Sequence, residues 1–181
     1  GNLTVTDITA NTDLSHVGNA VFFSQPVTYE VYDTDDNGAL IGSGTASNIN
    51  FDWGDGDILG TGHSGDVEVR FLSELYIAGT GTKTFDFYNS SDDGFRLYID
   101  GSLVIDDWED QGADEYNGHG QVDLEAGTYH SIEVRYYDGE WDAVAKLYVD
   151  DGTGPRILSD GFGLSVTATV TTDSVDAEGV L

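Results

Sequence analysis

Residues 84–101 read TFDFYNSSDDGFRLYIDG, and the spacing of their apolar side chains decides the fold. Phe85 and Phe87 flank Asp86, and Phe95, Leu97 and Ile99 then mark one face of a second run. Side chains alternate across an extended strand, so an apolar residue at every second position predicts a half-buried β-strand. The second run reaches Asp100-Gly101, a pair suited to a two-residue hairpin turn, and returns through Leu103 and Ile105. The same alternation recurs elsewhere. Val67, Val69 and Phe71 are interleaved with Glu68 and Arg70, and Ile132, Val134 and Tyr136 with Glu133 and Arg135. No stretch carries a 3.6-residue period. Glycine, at 24 of 181 residues, is about twice its usual share and punctuates the short runs. The expected fold is all-β, an antiparallel β-sandwich with little or no helix.

Charge narrows the partners. Six Lys plus Arg stand against 34 Asp plus Glu, a formal charge of −28. Nucleic-acid affinity comes from basic groups that release counterions from phosphates, and anionic membrane surfaces attract polybasic segments. Neither partner suits this chain, and no run of about 18 apolar residues offers a membrane span. What such acidity does suit is a cation, spread diffusely over the surface or gathered at sites for a hard divalent ion such as calcium. The absence of cysteine removes thiolate zinc sites, iron–sulfur clusters and thiol nucleophiles. The four histidines (His16, His63, His119, His130) show no ligand spacing, and no nucleophile elbow is present. No catalytic role is expected.

The chain reads as one domain over residues 1–170, with 1–20 as an opening strand and loop. Residues 171–181 read as a linker to a further module. Gly1 without an initiating Met suggests a piece of something longer, and the N-terminus carries no signal-peptide pattern.

Three acidic segments stand out. Asp92-Asp93-Gly94 lies between two strands; in a trans extended chain its carboxylates would point to opposite faces. A cis peptide, or a sharp turn permitted by Gly94, would bring them to one side, where a doubly charged ion could be chelated. An ordinary acidic turn is the plainer reading of the tripeptide, which recurs at Asp150-Asp151-Gly152. Asp138, Glu140 and Asp142, at alternate positions around Gly139, can present oxygens to one point at a loop tip between strands 130–137 and 143–149. Trp141 in that loop is either folded back on the core edge or a flat platform for a sugar ring. Asp33, Asp35 and Asn37, followed by Gly38, match the first half of a calcium loop and form a possible secondary site, but the twelfth position is Gly44 rather than Glu. Asp52, Asp55 and Asp57 read as an acidic surface turn.

Several runs in order, 66–77, 84–101, 103–108 and 124–130 with the acidic loop after them, resemble the protective-antigen-type (PA-fourteen) domain family. IleAsnPheAspTrpGly at 49–54 fits its upstream element. The resemblance is strongest over 45–160 and points to the lectin-like subgroup found in bacterial RTX-type adhesins and flocculins. It implies a β-sandwich in which consecutive aspartates joined by a cis peptide hold calcium and a second loop completes the shell. On this chain the resemblance assigns Asp92 and Asp93 to the pair, with Asp138, Glu140 and Asp142 as further ligands. Asp92, Asp93, Trp141 and Asp142 would meet the sugar through its neighbouring hydroxyls and ring face. Members that do not bind sugars often lack the acidic pair or the loop; both are present here. The function so implied is a calcium-dependent carbohydrate-binding domain of a large secreted or cell-surface bacterial adhesin. Its partners would be saccharides, and it would be a monomeric module within a long multi-domain chain. An accessory module of a glycoside hydrolase and a calcium-stiffened spacer are the alternatives.

Overall fold

The computed structural model describes residues 21–159; the expected opening strand at 1–20 and linker at 171–181 lie outside them. Twelve strands are present among the described residues: β1 (Val21–Phe23), β2 (Val27–Asp33), β3 (Ala39–Ala46), β4 (Asn50–Gly54), β5 (Val67–Ile77) and β6 (Thr82–Asp92). They are followed by β7 (Phe95–Ile99), β8 (Ser102–Asp107), β9 (Gly118–Glu125), β10 (Tyr129–Asp138), β11 (Ala143–Asp150) and β12 (Arg156–Ile157). All pairings are antiparallel, and none of the described residues is helical. A seven-stranded sheet runs β3-β2-β5-β10-β7-β8 with β1 beside β5, and a five-stranded sheet runs β12-β11-β6-β9 with β4 beside β11. The fold is the expected β-sandwich.

The alternation seen in the sequence becomes the core. Val67, Val69, Phe71, Phe85, Phe87, Phe95, Leu97, Ile132, Val134 and Tyr136 are all buried between the sheets. Burying apolar area is the main stabilising term, at about 25 cal/mol per Å². An aromatic seam bridges the layers. Phe51 stacks on Trp53 with ring centroids 4.8 Å apart and on Phe71 at 5.7 Å, while Trp53 lies 5.9 Å from Tyr136. Such pairs contribute about 0.5–1.5 kcal/mol each beyond area burial.

The Asp100-Gly101 turn is as expected: φ is 49° and 75° at the two residues, the positive pair that a type I′ hairpin requires. Its return strand carries an irregularity. Leu103 is 47% exposed while Ile105 is buried. The register shifts between Leu97 and Tyr98, so Leu103 faces Tyr98 and Ile105 faces Leu97. A bulge turns Leu103 to the outer face, which simple alternation cannot anticipate.

Two connections position the functional end. β6 belongs to the small sheet and β7 to the large one, and only Asp93 and Gly94 lie between them. β10 and β11 make the reverse pairing of sheets through residues 139–142. Because Tyr136 pairs with Phe95 and Val144 pairs with Asp92, both crossovers fall at the same end of the sandwich.

Elsewhere, His130 fastens β10 to the β7–β8 turn. Its Nδ1 lies 2.6 Å from Asp100 Oδ2 and its Nε2 lies 3.0 Å from the Glu125 carbonyl, so both partners accept and the imidazolium satisfies both. Burial lowers the His130 pKa, but the hydrogen bonds to Asp100 and Glu125 outweigh it and the net shift is upward. For Asp100, burial acts upward and is outweighed by His130 and the Ser131 amide, so its net shift is downward. The His130 contribution is therefore full below its unfolded value of 6.5 and lost as pH rises through the higher folded value. The Asp100 contribution is full above 3.8 and lost as pH falls through the lower folded value. Thermal unfolding followed by circular dichroism should show His130→Gln destabilised more at about pH 5.5 than at about pH 8.5; an equal deficit at both would contradict a charged His130.

Candidate functional site

Asp92 and Asp93 are joined by a cis peptide bond. Among the described residues, Asp92, Asp93 and Asp138 form a group in which one carboxylate oxygen from each lies within 4.8 Å of the other two. The first two come from the β6–β7 crossover and the third from the last position of β10. Gly94 has a role different from the one expected of it. Its φ is not in the left-handed region; instead, a Cβ there would run into the Tyr137 ring, which lies directly on its backbone.

Each carboxylate is held differently. Asp93 is fixed by two amides: Gln111 N–H donates to Oδ1 at 3.0 Å, and Gly139 N–H donates to Oδ2 at 2.9 Å. The second crossover and the 108–117 segment thus share one anchor. Asp92 accepts from the Ala113 amide, yet its pKa is raised, by burial first and then by the Asp93 and Asp142 charges. Asp138 is 1% exposed, and its Oδ2 has no hydrogen-bond partner. The Tyr136 hydroxyl lies 3.3 Å from Asp138 Oδ1, but its single proton has a nearer acceptor, the Asp92 carbonyl at 2.5 Å. Burial, with the charge of Asp93 next, pushes the Asp138 carboxyl up to about 7.

These three groups carry like charge. At 4–5 Å and an effective dielectric of about 20, each pair repels by roughly 3–4 kcal/mol. An unpartnered buried carboxylate oxygen adds a desolvation penalty. Protonation of Asp138 relieves part of this, and a divalent cation among the three, attracted to each carboxylate, offsets more of it. The donor set is entirely oxygen and negatively charged, which suits calcium rather than a softer metal. The residues therefore fit a hard divalent ion.

The 138–142 segment departs from its expected arrangement. Asp138 is a strand residue facing inward, opposite Val67, whereas Glu140 and Asp142 are exposed. Their side chains stay outside the triad, because the chain leaves β10 after Asp138 and turns at Trp141, where φ is 83°. Asp142 is still near enough to raise the Asp92 pKa, and its Oδ1 lies 3.9 Å from the Cβ position of Gly54. Glu140 borders a different hollow, shared with His63–Asp66 and Trp141. Trp141 is 78% exposed and so is not folded onto the core edge. At the expected secondary site, Asp33 Oδ1 accepts from the Asp35 and Asp36 amides at 2.9 and 3.1 Å, and Asn37 has φ 53°, so the segment closes as a hairpin on its own bonds. Asp57 likewise accepts from Gly62 N–H at 2.9 Å, and Asp52 pairs with Lys146 at 3.1 Å.

Sequence reasoning missed the network behind the pair. Asn89 and Ser91 are wholly buried, continuing the inward register of Phe85 and Phe87 with polar groups. Asn89 Nδ2 donates to Asp107 at 2.6 Å, Gln111 Nε2 donates to the same oxygen at 2.8 Å, and Ser91 N–H donates to Asn117 at 3.0 Å. This web holds the 108–117 segment over the pair. The switch from Phe to Asn and Ser at inward positions was the available signal.

The chain is 37% identical over 107 residues to the anti-sigma-I factor RsgI3 of Acetivibrio thermocellus, covering 55% of this chain but 15% of that protein. It is 30% identical to a solved anti-sigma factor domain-containing protein, at a TM-score of 0.66 over 76% of this chain and 46% of that one. A PA14 sugar-binding domain from an RTX adhesin superposes with a TM-score of 0.57 at 19% identity, over 76% of this chain and 99% of the domain. That last likeness speaks to the fold. The chain spans less than half of either anti-sigma relative. The model of the PA14 domain matches residues 16–160, most of the chain and all of the sandwich described above, and the chain belongs to that family.

Proposed function

We propose that this PA14 domain is a calcium-dependent carbohydrate-binding module, without catalytic activity of its own. We place it in an extracellular or cell-surface chain of several domains. The observation that carries this reading is the buried, unpartnered Oδ2 of Asp138, gathered with Asp92 and Asp93 at the open end of the sandwich. Asp92, Asp93 and Asp138 would hold the ion, with loop oxygens near Asp142 completing its shell. Calcium takes about six to eight oxygens, so three carboxylates leave positions that two neighbouring sugar hydroxyls can fill.

The chain's own groups account for orientation. The Gln111 and Gly139 amides keep Asp93 turned toward its partners, and the 108–117 segment screens the pair from one side. Trp141 stands exposed above the second crossover, where its ring can cover the apolar face of a pyranose. Extracellular calcium modules bind with Kd about 10⁻⁴–10⁻³ M, and a shallow sugar site of this kind gains strength through repetition along a chain.

A second context has its own support: two relatives at 30% identity or more are anti-sigma factor proteins, which favours a regulatory parent as the alternative to an adhesin. The sugar-binding chemistry is the same in both, and the domains that flank the module distinguish them.

Retention on immobilised monosaccharides in calcium should be lost in excess EDTA; undiminished retention would refute the reading. Asp93→Asn should abolish sugar binding while the circular dichroism spectrum stays unchanged, and loss of the fold would instead make the ion structural. Trp141→Ala should weaken sugar binding roughly three- to tenfold, about 0.7–1.4 kcal/mol, and leave calcium affinity measured by calorimetry unaltered. Equal sugar affinity would remove Trp141 from the site.

A further inference from the structure

The outer face of the five-stranded sheet carries aromatic groups that the core does not use. His119 on β9, Tyr88 on β6 and Tyr148 on β11 are direct cross-strand neighbours, because Tyr88 pairs with both of the others. All three alternate with inward residues and so point away from the core. His119 and Tyr88 stack at 4.8 Å with 28° between planes. Tyr116, from the 108–117 segment, lies 5.1 Å from Tyr88 and 5.2 Å from Tyr148, yet remains 40% exposed. The next cross-strand row is polar: Gln121, Asp86 and Asp150. His119 Nε2 and Gln121 Nε2 both meet Asp86 Oδ1, at 2.7 and 3.1 Å, and Asp150 Oδ1 accepts the Gly152 and Gly154 amides.

We infer that this face is a second, calcium-independent binding surface for a neutral polysaccharide, separate from the triad. A row of rings beside a row of acceptors matches the two sides of a sugar chain, whose C–H faces favour aromatic surface and whose hydroxyls donate to carboxylates. Charge selects among occupants. Glu115, Asp86 and Asp150 surround the rings, and the chain carries −28 overall, so an acidic glycan or a second copy of this chain is repelled. Asp86 and Asp150 each hold one oxygen on donors of this chain, and independence from salt is what separates a neutral partner on the rings from a cationic peptide drawn by the remaining charge. An uncharged, hydroxyl-rich partner fits both the rings and the acceptors. Tyr116 and Gln111 lie on one segment, so the two surfaces flank the same loop.

The test uses affinity electrophoresis through gels containing galactomannan, xyloglucan or mixed-linkage β-glucan, run in excess EDTA so that the triad is silent. Wild type should be retarded by at least one of the three, with retardation unchanged by 0.5 M salt. Tyr148→Ala should lower the apparent affinity about fivefold or more. His119→Ala, at a more exposed position, should lower it with an unchanged circular dichroism spectrum. Free migration of wild type in all three gels would overturn the inference and leave the calcium site untouched. Retardation equal in wild type and in both variants would overturn it too, as would binding confined to a lysine-rich peptide and abolished by salt.

Discussion

The arrangement at the end of the sandwich is governed by mutual repulsion among three carboxylates that the fold forces together. Asp92 and Asp93 arrive on the shortest crossover between the sheets, and Asp138 arrives at the end of the strand paired to β7. None of the three can withdraw. Asp93 is tied by two backbone amides, the Asp92 carbonyl takes the Tyr136 hydroxyl, and Asp138 is enclosed with one oxygen left without a donor. A protein surface with 34 acids can place carboxylates almost anywhere in water, so acidity alone means little. Burial of one member is what separates this group from the rest. A buried charge without a partner is unfavourable unless it is neutralised, and here neutralisation means either a proton on Asp138 or a cation shared by all three.

The rest of the structure reads as support for that position. The aromatic seam through Phe51, Trp53 and Tyr136 ties the two sheets together just beneath the triad. The Asn89, Ser91, Asp107 and Gln111 network replaces apolar packing where β6 approaches the pair, and it fixes the 108–117 segment by directional bonds rather than by contact area. Tyr137, seated on Gly94, leaves no room for any larger residue at the crossover. Rigid elements below and exposed loops above are a common division between scaffold and site.

Much of this was legible because period-two alternation survives in the strands that matter. Phe85 to Ile99 and Ile132 to Tyr136 mark the strands that flank the two central crossovers, whereas the Asp92-Asp93 pair read by itself as an ordinary acidic turn and was assigned through the family resemblance. The arrangement of 138–142 could not be read in the same way. Acids at alternate positions look equivalent in a sequence, yet Asp138 ends a strand and is enclosed while Glu140 and Asp142 lie exposed on either side of the turn at Trp141. The outward turn of Leu103 is hidden for a related reason: one bulge reverses the face of the residues before it in the strand, and nothing in its local composition marks the shift. The amides of Gln111 and Ala113 are long-range partners of the pair, and backbone donors leave no trace in residue identity.

Calcium titration by calorimetry, on the wild-type domain and on Asp138→Asn, decides whether the three carboxylates share an ion. The wild type should show a saturable site that is lost or weakened at least tenfold in the variant, whose neutral amide keeps the shape but removes the charge. Identical isotherms for the two proteins, or no heat from either, would contradict it.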